Sequence, residues 1–588
     1  MAITYTAKSQ TLMKKNTGQK STAHGCMSKL YAVLLVAVAT TVFVGAESVP
    51  RPVASTARLP VFAAQRRAAP ARARARVNSV TLENAKMERD GVSASWFIKD
   101  KQFASQREIE GYASATSVNR GETIQLYVNV KNATVDATHT IVVYRIGWYG
   151  GVGGRQILGP FTRASHTQPE CPMVNNSTLT IECSWTNPMD LTIPISRDPT
   201  VAPSGVYLAR LETPRGKASY VIFVVRDDDR RGDILYQTSD TTYVAYNTWG
   251  TYSFYTLRPA YAASFNRPYA NTLSSSQHGP INLKGAGEFL AWELHAVRFL
   301  ERNGYDVVYS SSIDTARNPA RLRQFRVFLS VGHDEYWSRE TYDAVEGARN
   351  AGINLMFLGA NAAYWGVRLE ADAQGVPNRR VVTYKNRLDL DPLGKTPHAT
   401  GMWRLPLMRR PEAALIGIAY DSMSRDLDMV VHSCSCWICV GTDLRPGDRL
   451  KGLLGYEVDW ATSNSPANLQ VIMRSPYNPL SHPGAVNTTR YALLSYHTHA
   501  NGAGVFASGS MQWTWGLDAW APHPDRANEN AQTITRNVLD RFIGLRPIEY
   551  AECSVLDRQK TDEGNRTLVV EDEVATIESE LEEGNFPA

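Results

Sequence analysis

The sequence predicts a β-sandwich followed by an α/β domain built on a mainly parallel sheet. Three observations lead there. Residues 110–227 hold short runs of alternating apolar and polar positions, spaced about ten residues apart. Residues 287–361 alternate a helical period with fully apolar runs, the mark of strands buried on both faces. Gly, Pro or Asn clusters separate nearly all of these runs.

At 588 residues the chain is too long for one compact domain, and five segments are expected. They are 1–46, a signal peptide or anchor; 47–95, an Ala/Pro/Arg-rich linker; 96–227, the sandwich; 228–550, the α/β domain; and 551–588, an acidic tail. Hydrophobic residues at 43% and charged residues at 20% exclude wholesale disorder and a multi-span membrane protein. The net charge of +5 is uneven: residues 1–78 carry +11, residues 562–588 carry −8, and everything between carries +2. A nucleic-acid-binding body needs a basic face that this balance does not supply.

Leu30 to Gly45 is a run of 16 uncharged residues behind Lys14, Lys15, Lys20 and Lys29, and Val44-Gly45-Ala46 offers a cleavage site. Secretion or another extracytoplasmic location is expected, with membrane anchoring through residues 30–45 as the alternative. Cleavage after Ala46 removes Cys26 and leaves six cysteines, an even number that reads as disulfides. Cys171 and Cys183 close a short loop and form the safest pair. Cys434, Cys436 and Cys439 have a spacing that could hold zinc, but export and the lack of a second CxxC favour disulfides with Cys553.

In the sandwich, ETIQLYVNV, HTIVVYRIGWY, TLTIECSW, LTIPI, GVYLARLE and SYVIFVVR are the expected strands, an immunoglobulin-like pattern. Beyond the charged hinge at 226–231, residues 287–303 place Leu290, Leu294, Val297 and Leu300 on one helical face, stopped by Gly304. YDVVYSS and RVFLSVG are strands; Ser338 caps a helix that Gly352 closes; INLMFLGA is the next strand. LLGYEVDW, LQVIMRS, YALLSYHT and GVFASGS are further strands.

Ligands of an open parallel sheet bind outside the carboxyl ends of its strands. Two strands here end in polar-aromatic clusters, His333-Asp334-Glu335-Tyr336-Trp337 and Asn361-Ala362-Ala363-Tyr364-Trp365. Few structural needs gather such groups, whereas a metal or acid/base site does. Helix capping and loop hydrogen bonds are the bland alternative. No G-x-S-x-G elbow, phosphate-binding glycine loop or H-E-x-x-H motif is present. His497-Thr-His499 could face a metal from one strand, but a core or surface role is the simpler reading.

Residues 96–545 resemble the N,N-dimethylformamidase large (beta) subunit-like family. The resemblance is carried by Ile109-Glu-Gly-Tyr112, Tyr144-Arg-Ile-Gly-Trp-Tyr149, Tyr243-Val-Ala-Tyr246-Asn247, Gly332-His-Asp-Glu-Tyr-Trp337, Phe357-Leu-Gly-Ala-Asn361, Gly455-Tyr-Glu-Val-Asp459 and Ala507-Ser-Gly-Ser510. It implies a lectin-like sandwich joined to an amidotransferase-like α/β domain, an amide hydrolase, and a mononuclear iron held by two tyrosines and one glutamate. Matched residue by residue, Glu457 is the carboxylate ligand and Tyr364 and Tyr336 the phenolates. It also implies a small subunit, or another oligomeric arrangement. Phenolate and carboxylate are hard anionic donors that suit ferric iron. His333 and Glu335 are then expected to move protons and Asn361 to orient a small amide substrate. An exported binding protein that keeps the fold without turnover, recognising a glycan or small ligand, is the alternative.

Overall fold

The computed structural model describes residues 77–270, 272–273, 281–480, 489–521, 523–545 and 551–556. The expected signal or anchor, the linker up to residue 76 and the acidic tail from residue 557 lie outside the described residues.

The architecture is β-rich. Its first half is a sandwich. One sheet holds Ile109–Ala113, Thr123–Val130 and Met189–Thr192; the other has the order Ser117–Asn119, Ala218–Arg226, Gly205–Glu212, Thr138–Ile146, Gly154–Ala164. Thr123–Val130 buries every second residue, as its alternating sequence requires. Ile109, Leu126, Val143, Leu211 and Phe223 meet between the two sheets. Gly205–Glu212 is buried on both faces instead, because Val206 and Leu208 share a core with Phe289, Leu294 and Val297 of the second half.

That junction explains the Tyr144-Arg-Ile-Gly-Trp-Tyr149 stretch. Arg145 is fully buried and pairs with equally buried Glu301, at 2.6 Å and 3.0 Å. The Tyr309 hydroxyl donates to the same carboxylate, and the Tyr149 hydroxyl donates to Glu83. A buried ion pair is destabilising unless its remaining hydrogen-bonding capacity is met, and here it is.

The second half centres on a seven-stranded sheet of order Val307–Ser311, Ile234–Thr238, Val327–Gly332, Asn354–Gly359, Gly504–Ala507, Arg490–Thr498, Gln470–Tyr477. The first five strands are parallel; Arg490–Thr498 runs against them, and Gln470–Tyr477, antiparallel to it, runs in their direction again. Helices cover both faces. Leu294–Arg302 and Glu529–Phe542 pack on one, against Val327 and Leu329. Arg339–Asn350 packs on the other through Tyr342 and Val345, against Phe328 and Phe357. Ser338 accepts from the Thr341 N–H and so caps that helix, as its sequence predicts.

Four expectations change. TLTIECSW supplies only Thr180–Ile181, which pairs with Met173–Asn175 outside both sandwich sheets. The stretch expected as linker is folded where described: Ser79–Asn84 is a helix capped by Asn78, and its Glu83 is buried against Arg155. Composition hid this, because one short helix held mainly by polar contacts of Asn78, Glu83 and Asn84 leaves no apolar period. The 287–303 helix is two, Phe289–Trp292 and Leu294–Arg302. The break is at Glu293, whose carboxylate accepts from the Tyr236 and Tyr243 hydroxyls and the Ser239 N–H. LLGYEVDW is not one strand either. Gly455, at φ +134°, divides Arg449–Leu454, paired with Leu427–Val430, from Glu457–Trp460, paired with Ala419–Met423. A Cβ at Gly455 would run into the Gln512 side chain.

Candidate active site

Val327–Gly332 and Asn354–Gly359 run side by side in register, and Gly332 faces Gly359 at their carboxyl ends. A Cβ at Gly359 would collide with the Gly332 carbonyl, so the two chains touch there only because residue 359 is glycine, while a Cβ at Gly332 would meet Trp292 instead. Beyond the glycines both chains leave the large sheet and pair again in a second one, where Tyr336 stands opposite Trp365. The sequence motifs are therefore two crossings between sheets, held together at both ends. The Tyr364 and Trp365 N–H groups donate to the Glu335 carbonyl across the gap. Asn361 and Ala363 adopt left-handed conformations, at φ 56° and 55°.

His333 lies at the centre and is 2% exposed. Its Nδ1 is 3.1 Å from Glu288 Oε2, while its Nε2 is 3.2 Å from Glu335 Oε2 and 3.1 Å from Glu457 Oε2. The Nε2 position points at neither of the last two squarely enough for a hydrogen bond. Burial alone would lower the imidazole pKa, but the Glu457 charge and the contacts to Glu288, Glu335 and Glu457 outweigh it. The pKa ends well above the ordinary histidine value, so His333 is an imidazolium at neutral pH.

Glu335 is met from the other side by two phenols. Tyr246 donates to Oε2 at 2.8 Å and Tyr255 to Oε1 at 2.9 Å, and Tyr336 donates in turn to the Tyr255 oxygen. Burial pushes the Glu335 carboxyl up, but His333, Lys385 and Tyr246 hold it below its usual range, so it stays ionised. Burial first, and Glu335 second, raise Tyr246, Tyr255 and Tyr336 well above the usual phenol range. With only the protein around them these three are phenols, and a phenolate there requires a strong positive charge.

Asn361 joins the second cluster to the first. Its Nδ2 donates to Glu457 Oε2 at 3.0 Å, its backbone N–H donates to Asp459 Oδ1 at 2.8 Å, and its Oδ1 is buried without a hydrogen bond. Burial raises the Asp459 carboxyl to about 8, so it is largely protonated at neutral pH.

Of the residues expected from sequence, His333, Glu335, Tyr336, Asn361 and Glu457 meet in one continuous network. The Tyr364 ring is packed edge-on against Trp365 and Tyr420 with the Arg404 guanidinium over it. Its charge and that of Glu457 both act on the Tyr336 hydroxyl. Asp334 faces the other way, accepting from Gln237 and Ser330 at 2.8 Å inside the large sheet. His497 is buried beneath Gly417, its pKa lowered by burial to about 3, and His499 bonds Asn501.

The sequence reading missed four groups. Tyr246 sat within a noted motif without a role, and Tyr255 and Glu288 carried no local signal. Lys385 did not either. Its ammonium is 3.5 Å from the centre of the Tyr255 ring, and 5.2 Å and 5.5 Å from the Trp365 and Tyr336 rings. Desolvation lowers its pKa to about 7, against the pull of Glu335 and Glu457.

The cysteines form three disulfides, Cys171–Cys183, Cys434–Cys439 and Cys436–Cys553. Among the described residues no group of three or more His, Cys, Asp or Glu is arranged to hold a metal ion. The set expected from sequence, two tyrosines and a glutamate, is of a different kind.

A similar stretch occurs in two known proteins. One is the N,N-dimethylformamidase beta subunit of Alcaligenes sp, 26% identical over 321 residues, or 48% of this chain and 40% of that protein. The other is the N,N-dimethylformamidase beta subunit of Paracoccus aminophilus, 25% identical over 321 residues, with the same coverage of 48% and 40%. The match thus spans less than half the length of each relative. The model of the N,N-dimethylformamidase beta subunit-like, C-terminal family matches residues 140–530, a range that contains both strand-end clusters, Glu457 and Lys385. The chain belongs to the N,N-dimethylformamidase beta subunit-like family.

Proposed function

We propose that this chain is a hydrolase of amide C–N bonds, with its reacting atoms at the His333–Glu335–Glu457 network. The observation that carries the reading is one buried imidazolium among three carboxylates at the carboxyl ends of two parallel strands, beside three hydrogen-bonded tyrosines. A structural ion pair needs one carboxylate per cation. Three around one histidine, with a lysine held by aromatic rings nearby, is an arrangement suited to moving protons. The parallel strand order and the helices on both faces support an amidotransferase-like description of the second domain.

Iron is part of the proposal, held by Tyr336, Tyr364 and Glu457. The chemistry of the donors fits: all are hard oxygens, and burial keeps the Tyr336 hydroxyl protonated unless a cation compensates. A bound ferric ion would supply Lewis-acid polarisation of a carbonyl and a lowered pKa for water. The protein's own groups supply the rest. Glu335, ionised, accepts a proton from the attacking water. His333, charged, donates its Nε2 proton to the departing nitrogen, and Glu288 on Nδ1 fixes the ring. The free Asn361 Oδ1 accepts from a ligand N–H or water.

Export belongs to the same proposal, supported by three disulfides that use all six cysteines of the described chain. Association with a small subunit rests on the relatives being named as subunits. The test is metal analysis of the purified full chain together with amine release from N,N-dimethylformamide and simple formamides. Stoichiometric iron and amine release support the reading. A chain that neither holds ferric iron nor releases amine is a binding protein that has kept the fold.

A further inference from the structure

We infer that Lys385 is the donor for the ligand's acyl oxygen: its ammonium binds the carbonyl oxygen of the amide and then the carboxylate left by hydrolysis. The inference rests on the hydrolase reading and names how that site holds its substrate.

Rings, not hydrogen bonds, set the position of the ammonium. Nζ lies 3.5 Å from the Tyr255 ring centre, with Trp365, Tyr336 and Phe254 at 5.2, 5.5 and 6.0 Å. A cation over a ring face is held firmly, yet it keeps N–H donors for another partner. Among the described residues, none accepts a hydrogen bond from Nζ or comes within ion-pair distance of it. The ring that carries the ammonium belongs to the network, since the Tyr255 hydroxyl donates to Glu335 Oε1 at 2.9 Å.

Two further features point the same way. Tyr336 and Trp365 are the pair at which the two strand-end clusters rejoin, so Lys385 stands over the point where both converge. Lys385 also holds a left-handed backbone, φ 51°, a conformation unfavourable for a residue with a side chain. Its N–H is held by Thr383 Oγ1 at 3.4 Å. A lysine serving only to balance charge would reach a carboxylate and bond it. Here the rings hold it short of one, leaving its donors toward the site. The ammonium itself repels a cationic ligand at this position. An acyl oxygen, neutral in the amide and anionic in the product, is an acceptor for the N–H donors that the rings leave on the ammonium.

Cyanate labelling of the full-length protein, read by peptide mass spectrometry with and without formate, tests this independently of turnover. Formate is expected to slow carbamylation of Lys385 at least fivefold and to leave the exposed Lys101 and Lys451 unchanged. An unchanged rate at Lys385, or equal slowing at all three lysines, overturns the inference. Lys385→Met is expected to lower kcat toward a dialkyl formamide at least a hundredfold with the metal content unchanged, and Lys385→Arg to recover part of it. A kcat for Lys385→Met within threefold of the parent also overturns it. If the parent releases amine from no amide, the hydrolase reading fails, and formate protection still decides whether Lys385 binds an acyl oxygen.

Discussion

Replacing Glu457 by glutamine separates a metal ligand from a plain ion-pair partner. The carboxylate oxygen Oε2 lies 3.1 Å from His333 Nε2 and accepts from Asn361 Nδ2 at 3.0 Å. Both donors approach the same oxygen, so in Glu457→Gln the amide carbonyl oxygen can still face them, and what is lost is the negative charge opposite the His333 imidazolium. A buried charge stripped of its only partner costs about 3–5 kcal/mol. His333 keeps Glu288 at 3.1 Å and Glu335 at 3.2 Å, so the expected loss is the smaller ~1.5–3 kcal/mol of one hydrogen bond to a charged group. The loss also has a pH signature. The His333 pKa is raised by folding, so its contribution is fully present below the unfolded value of about 6.5 and fades as pH rises through the folded value. The gap between metal-free parent and metal-free variant should therefore narrow on the alkaline side. Denaturant unfolding of both metal-free proteins measures that gap, and elemental analysis with visible absorption measures the iron. The expected result is a fold intact within about 3 kcal/mol and iron lost from the variant. Full iron with an unchanged absorption band would refute Glu457 as a ligand.

Three other outcomes are expected. Arg145→Met should cost about 3–5 kcal/mol in denaturant unfolding, because it leaves the buried Glu301 charge with two neutral donors, the Tyr309 hydroxyl and the Asn84 amide, and no cation; a loss under about 1 kcal/mol would mean the junction relaxes to admit water. Gly359→Ala pushes a methyl group into the Gly332 carbonyl and should destabilise by about 1–3 kcal/mol while disturbing the His333 network; an unchanged melting curve would show that the strand ends can separate freely. Replacing Cys436 and Cys553 with serine opens a link spanning 117 residues and should cost about 2–5 kcal/mol, while peptide mapping of the parent should recover that bond with Cys434–Cys439 and Cys171–Cys183.

Local pattern sufficed for much of this protein. Alternation marked the sandwich strands, because one face of Thr123–Val130 meets a core and the other does not. Continuous apolar runs ending in glycine marked Val327–Gly332 and Asn354–Gly359, and Ser338 marked the start of the helix between them. The polar clusters after those strands were legible because strand ends in a parallel sheet lie at its binding edge. The short Cys171–Cys183 loop was legible for the same local reason. What the tertiary structure alone decided is which distant side chains complete the cluster. Glu288, Tyr255 and Lys385 arrive from separate segments with nothing in their neighbours in sequence to distinguish them, and Tyr246, though within the Tyr243–Asn247 stretch, showed no role there. The direction of Asp334 was also undecided, since adjacent residues at a crossing can face opposite sides and only Gln237 and Ser330 draw it inward. The same holds for the pairing of Cys436 with Cys553 and for the break at Gly455. Periodicity reports whether a residue is buried; it carries no information on what it is buried against, and the chemistry of this site lies in those non-local contacts.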